Sequence, residues 1–138
     1  MKNCMISFLA LSLILSGCNA TSDDPLKVAQ TVFKGLVNSD PSVSGYVSWG
    51  SLKVINQDVG AIFNALPDDQ RKDFKDSFIS EFGKSYRAKG GTYESFHNWQ
   101  SKDSGSGTAI VTTNLLRFEL RKEGSSYVLV GIMNLTQK

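Results

Sequence analysis

Two hydrophobic periodicities divide the chain. Between about residues 25 and 90 apolar positions recur every three or four residues, the spacing of a single helical face; from residue 92 they recur every second residue, the spacing of a strand face. Leu26, Ala29, Phe33, Leu36 and Val37, widened by Val28 and Val32, predict a first helix. Asp24-Pro25 opens it with a capping carboxylate and a residue whose missing N–H costs nothing at that place, and Asn38-Ser39-Asp40-Pro41 ends it. Leu52, Ile55, Val59, Ile62, Phe63 and Leu66 predict a second helix over about 51–65. Pro67 interrupts, and Asp68-Asp69 open a third helix with acidic groups at its positive end. Phe74, Phe78, Phe82 and Tyr86 form one stripe along it, joined by Ile79; Lys84, Arg87 and Lys89 crowd its last turn before Gly90-Gly91.

In the second half, Tyr93, Ser95, His97 and Trp99 alternate with Thr92, Glu94, Phe96 and Asn98 as a strand, and Ser101 to Gly107 reads as a flexible turn. From Thr108 to Arg121 the alternation predicts either one long bent strand or two strands broken near Asn114. Lys122 to Ser126 makes a hairpin turn, and Tyr127 to Leu135, apolar on both faces, is a closing strand covered on both sides. Helices first and an antiparallel sheet second indicate an α+β fold, with three N-terminal helices packed on a sheet that curls around them as a cone.

That order resembles the cystatin-like cone of nuclear transport factor 2-like domains. The stretch from Arg117 to Ile132, a charged turn leading to an aromatic and then a buried strand, looks like their closing hairpin, with Tyr127 where those domains commonly carry tryptophan. A second stretch, Leu66-Pro67-Asp68-Asp69-Gln70-Arg71 through Phe82-Gly83-Lys84-Ser85-Tyr86, is similar to a segment of the periplasmic phospholipid shuttle of the Mla pathway. That resemblance implies a lipid-holding cavity between helices and sheet.

Lys2 followed by the apolar run Met5–Leu15, too short for a permanent span, describes an export signal. Its end, Leu15-Ser16-Gly17-Cys18, resembles the lipobox of bacterial lipoproteins. The resemblance implies removal of residues 1–17, lipidation of Cys18 with attachment to a membrane, a tether over 18–24 and a single domain over 25–138. Extended, that tether spans about 20–25 Å. Asn19 stands where aspartate resembles an inner-membrane retention signal, which leans towards the outer membrane, facing the periplasm.

Charge and cysteine usage narrow the chemistry. Fifteen basic and 13 acidic residues leave +2 without a basic block, which argues against nucleic acid as a partner. Cys4 falls in the leader and Cys18 would carry lipid, so the domain relies on packing and has neither disulfide nor thiol. One histidine and no free cysteine argue against a zinc site; Asp68, Asp69, Asp73 and Asp76 are interleaved with Arg71, Lys72 and Lys75 as a solvated helix face, and no metal or other cofactor is expected. His97 is the sole imidazole, with Asp76 or Glu81 as conceivable partners for acid–base work; without an identified orienting carboxylate an enzyme is the least favoured reading. The favoured expectation is a non-catalytic domain binding a small apolar or amphipathic ligand, lipid included, against Phe74, Phe78, Phe82, Trp99, Leu116 and Phe118. The alternative is a filled core that docks another envelope protein, through the Tyr46/Trp49 loop or the sheet face, or associates with its own copy through the sheet.

Overall fold

The computed structural model describes residues 23–135; the apolar leader, Cys18 and the tether up to Ser22 lie outside them. Helix α1 spans Pro25–Val37 and begins as its sequence dictates, with the Asp24 carboxylate accepting the N–H groups of Leu26 (3.0 Å) and Lys27 (3.4 Å). A 3-10 turn over Pro41–Tyr46 and another over Trp49–Ser51 lead into two short strands, β1 (Lys53–Val54) and β2 (Gln57–Asp58). Helix α2 is brief (Val59–Asn64), capped by Asp58, and α3 is long (Asp68–Ala88). A third 3-10 turn, Tyr93–Ser95, precedes β3 (Gln100–Asp103), β4 (Thr108–Thr112), β5 (Leu116–Glu123) and β6 (Ser126–Asn134).

The strands form one sheet in the order β2-β1-β6-β5-β4-β3. The fold is α+β, but the sheet is mixed rather than wholly antiparallel, because β1 lies parallel to β6, with Lys53 opposite Gly131 and Val54 opposite Ile132. This corrects the expected helix over 51–65. Its apolar spacing is real, yet residues 53–55 spend backbone groups on the otherwise open edge of β6, residues 57–58 fold back on β1, and only the last part winds as α2. The strand expected from Thr92 is also corrected. Tyr93, Phe96 and Trp99 turn inward at a spacing of three while His97 is exposed, and pairing begins only at Gln100. Of the two readings of Thr108–Arg121, the break near Asn114 holds. Ala109 and Val111 pair with Leu120 and Phe118, so the odd positions of β4 share the inner face with the even positions of β5. β6 is covered on both faces along most of its length, as its double-sided apolar pattern requires.

Helix α1 lies directly on the sheet, burying Val28, Ala29, Val32, Phe33, Leu36 and Val37 against it. Helix α3 packs instead on α1 and the first 3-10 turn. The close approach is made at Gly83, where a Cβ would overlap Ser39 Oγ and come within 2.7 Å of the Leu36 carbonyl oxygen. Arg87 Nη1 donates to the Val37 carbonyl (2.7 Å), and Ser39 Oγ donates to the Ser80 carbonyl (3.0 Å), tying the two helices at that end. A contiguous core drawn from both helices and all of β4–β6 lies within these residues, a size of domain that folds by itself. Among the described residues no helix is long and apolar enough to cross a membrane.

Candidate functional site: an apolar cavity at the end of the sheet

With α1 covering the sheet and α3 resting on α1, a wedge remains between the last turns of α3 and the end of the β5–β6 pair. It holds an open cavity of about 570 Å³. One wall is α3, whose Phe82, Ser85, Tyr86 and Lys89 recur at the three- and four-residue spacing of one face. Leu116 of β5 and Ile132 of β6 form the opposite wall, and Phe33 of α1 with Phe96 closes the floor. The floor is a tight aromatic group: the Phe33 and Phe96 rings meet edge to face at 4.8 Å, and Tyr86 sits 6.1 Å from Phe33 and 6.0 Å from Phe96. Burial pushes the Tyr86 hydroxyl above its ordinary value, so it is neutral at physiological pH.

The mouth is built by hydrogen-bonded turns. Thr113 is buried, and its Oγ1 accepts the N–H groups of Leu115 (3.1 Å) and Leu116 (3.0 Å), a local turn that throws Leu115 outward. Asn114 fastens that turn to the preceding segment. Its Oδ1 accepts the His97 N–H (2.9 Å), its Nδ2 donates to the Ser95 carbonyl (3.3 Å), and its own N–H donates to the His97 carbonyl (2.9 Å). Leu135 donates its N–H to the Leu115 carbonyl at 2.9 Å, and Ile55 donates to the Ile132 carbonyl at 2.6 Å, which brings both side chains to the rim. Ile55 holds a φ of 53°, a left-handed conformation that a β-branched residue avoids. Such strain costs about 1–3 kcal/mol and persists where surrounding structure imposes it.

The large hydrophobics left exposed among the described residues are Ile55 (42 %), Ile62 (43 %), Leu115 (55 %) and Leu135 (42 %); three of these four border this one cavity. Apolar surface concentrated at a concave mouth is the usual mark of a binding site. Among the described residues the polar side chains bordering it are few: Ser85, Tyr86 and Lys89 on the helix side, Asn114 and Asn134 on the sheet side.

The six residues predicted to line a ligand separate into three places. Phe82 and Leu116 form opposite walls of the cavity. Phe74 and Phe78 pack on Trp49 at the far end of α3, with ring separations of 6.4 and 5.6 Å, and fill that end with Phe63. Trp99 and Phe118 stack on each other at 5.5 Å beneath α1, in the core. Trp49 is itself 5 % exposed, its Nε1 donating to the Ser44 carbonyl at 3.1 Å, so this loop tryptophan is an interior residue. Tyr46 is half-buried and borders a second, more polar hollow with Thr31, Lys34, Asn38 and Asp40. His97 is exposed and does not border the cavity; Asp76 pairs with Lys72 (2.7 Å) and Glu81 with Lys84 (3.7 Å) along their own helix. No group of three His, Cys, Asp or Glu side chains among the described residues is placed to hold a metal ion. Sequence reasoning missed Phe33, Ile55, Tyr86, Phe96, Leu115, Ile132 and Leu135. The available signal was the pair of leucines at strand ends, Leu115 and Leu135, where turns are ordinarily polar.

Comparison of the chain with protein families, with curated proteins and with solved structures gives no match.

Proposed function

We propose that this protein is a membrane-anchored lipoprotein of the cell envelope whose domain, a cystatin-like cone, binds a small apolar or amphipathic ligand without transforming it. Cys18 carries the anchor, and the Lys2–Cys18 sequence supports that part of the reading. The observation that carries the binding function is the cavity: about 570 Å³, walled by aromatic and aliphatic side chains, with Ile55, Leu115 and Leu135 exposed around its mouth. Its volume falls within the ordinary range for small-molecule sites, roughly 300–1,000 Å³. Among the described residues the cavity wall carries no imidazole or carboxylate, and these residues can hold and orient a molecule.

The test is native mass spectrometry with lipid extraction on residues 19–138, secreted behind a cleavable leader and purified without detergent. A small amphiphile is expected to accompany the wild-type chain and the Phe78→Trp variant, whose change lies at the filled end of α3. It should be lost from Leu116→Trp, which places a larger ring in the cavity wall. A clean apo mass under gentle conditions overturns the ligand reading in favour of a protein partner.

A further inference from the structure

We infer that the ligand is a single-chain amphiphile with an anionic head, its chain in the cavity and its head at Lys89. The inference deepens the proposed function and rests on it. The first argument is size. A methylene occupies about the volume of a water molecule, roughly 30 Å³ in the liquid, so the cavity of about 570 Å³ holds on the order of 20 such groups. One acyl chain fits that space, and the two chains of a diacyl lipid exceed it. The mouth is open on one side and ringed by Ile55, Leu115 and Leu135, so a chain longer than the cavity leaves it across apolar surface.

The second argument is charge. Among the described residues Lys89, the C-cap of α3, is the only charged side chain bordering the cavity, and none of the bordering residues carries a carboxylate. Its neighbours on the helix are committed elsewhere: Lys84 to Glu81, and Arg87 to the Val37 carbonyl and Ser39 Oγ. Lys89 makes no ion pair among the described residues. A cation with no ion-pair partner among the described residues, at the rim of an apolar pocket and beside the Ser85 hydroxyl, complements a carboxylate or a phosphate. Asn114 and Asn134 on the opposite lip add polar atoms for the atoms adjoining the head.

The experiment is displacement of a fluorescent fatty-acid probe from residues 19–138 by four competitors: dodecanoate, dodecanol, a single-chain lysophosphatidylglycerol and vesicles of a diacyl phosphatidylglycerol. The wild type should bind both single-chain anions and release the probe to dodecanol less readily. Lys89→Gln should weaken both anions about two- to fivefold, the range of one exposed charge pair, and leave dodecanol unchanged. Unequal binding of dodecanoate and the lysolipid tells whether carboxylate or phosphate is the better head. Equal affinity for dodecanol and dodecanoate, insensitive to Lys89→Gln, overturns the anionic head while the cavity reading stands. Displacement by diacyl vesicles as effective as by the lysolipid overturns the single chain. Failure of every competitor to bind, with Leu116→Trp behaving as wild type, overturns the inference and the proposed function together. Leu115→Ser, at an exposed rim position, separates loss of binding from loss of fold: it should weaken all single-chain competitors while its unfolding transition stays near that of wild type.

Discussion

The left-handed backbone at Ile55 makes a prediction whose sign is opposite to the usual one. Ile55 joins β1 to β2, its φ is 53°, and its N–H is held by the Ile132 carbonyl at 2.6 Å, so the sheet edge dictates its conformation. Consider Ile55→Ala and Ile55→Gly. Both remove the side chain beyond Cβ, so both lose nearly the same buried apolar area, and their difference isolates the backbone. At an ordinary position alanine is favoured over glycine by about 0.5–1 kcal/mol, because glycine loses more freedom on folding. In the left-handed region the alanine Cβ meets the following carbonyl and costs about 1–2 kcal/mol. The second effect wins, and Ile55→Gly should be the more stable variant by about 0.5–1 kcal/mol. For a domain of this size that is a separation of roughly 3–6 °C in thermal midpoint. Urea and thermal unfolding of the two variants measure it. Leu115, exposed at the same cavity mouth with no left-handed φ, is the internal control: there alanine should be ahead of glycine. Affinity for the cavity ligand should fall equally in both Ile55 variants, since the rim side chain is gone from each. Ile55→Ala as stable as Ile55→Gly, with the Leu115 pair ordered as expected, would refute the assignment of strain at this turn.

Three further outcomes are expected. Gly83→Ala, which would gain about 1 kcal/mol in an exposed helix, should instead lose about 1–3 kcal/mol in urea unfolding, because the new Cβ meets Ser39 Oγ and the Leu36 carbonyl across the α1–α3 contact; a stabilised variant would mean the helices do not approach there. Phe118→Ala should cost about 3–5 kcal/mol, since the ring is fully buried between Phe33 and Trp99 at centroid distances of 5.3 and 5.5 Å; a loss under about 1 kcal/mol would contradict that packing. The Asp40 carboxylate accepts the Ser42 N–H at 3.0 Å, and this backbone bond, followed by the Ser42 side chain, holds its pKa below the ordinary 3.8. A depressed folded-state pKa means that its contribution is complete above pH 3.8 and is lost as the pH falls through the lower folded value. The stability difference between wild type and Asp40→Asn, followed from pH 6 downward at constant salt, should therefore hold steady and then shift against the wild type below about pH 4.

The helices at the two ends of the first half were legible because their signals are local. Asp24-Pro25 and the acidic Asp68-Asp69 start mark the true beginnings of α1 and α3, and Gly90 at φ 83° marks the end of the latter. The middle helix failed for the reason that periodicity is a statement about faces and not about partners. Leu52, Val59 and Phe63 do turn inward, but the edge of β6 offered residues 53 and 54 backbone partners that no local pattern could announce. Likewise, the alternation of Tyr93, His97 and Trp99 is an accident of a segment whose inward residues are Tyr93, Phe96 and Trp99.

The same limit decides why the candidate site was half visible. A stripe such as Phe74, Phe78, Phe82 and Tyr86 tells that one face of α3 is apolar and says nothing of what it meets. What it meets changes along its length: at the N-terminal end Trp49 and Phe63 fill the space, and at the C-terminal end α1 holds the helix away from the sheet, so Phe82 and Tyr86 face an opening. Whether identical residue types become core or cavity wall is thus set by the approach distance of two helices, fixed at Gly83 and Ser39, and by a turn at Thr113 that ends β4 early enough to leave Leu115 exposed. Those are long-range consequences of one missing Cβ and one buried hydroxyl. Filling the gap from either side tests the argument directly: Leu116→Trp from the sheet or Ser85→Trp from α3 should each abolish ligand capture, whereas Phe78→Trp on the same helical stripe should leave it intact. Capture lost equally in all three would mean that the stripe is continuous core and that the opening has no role.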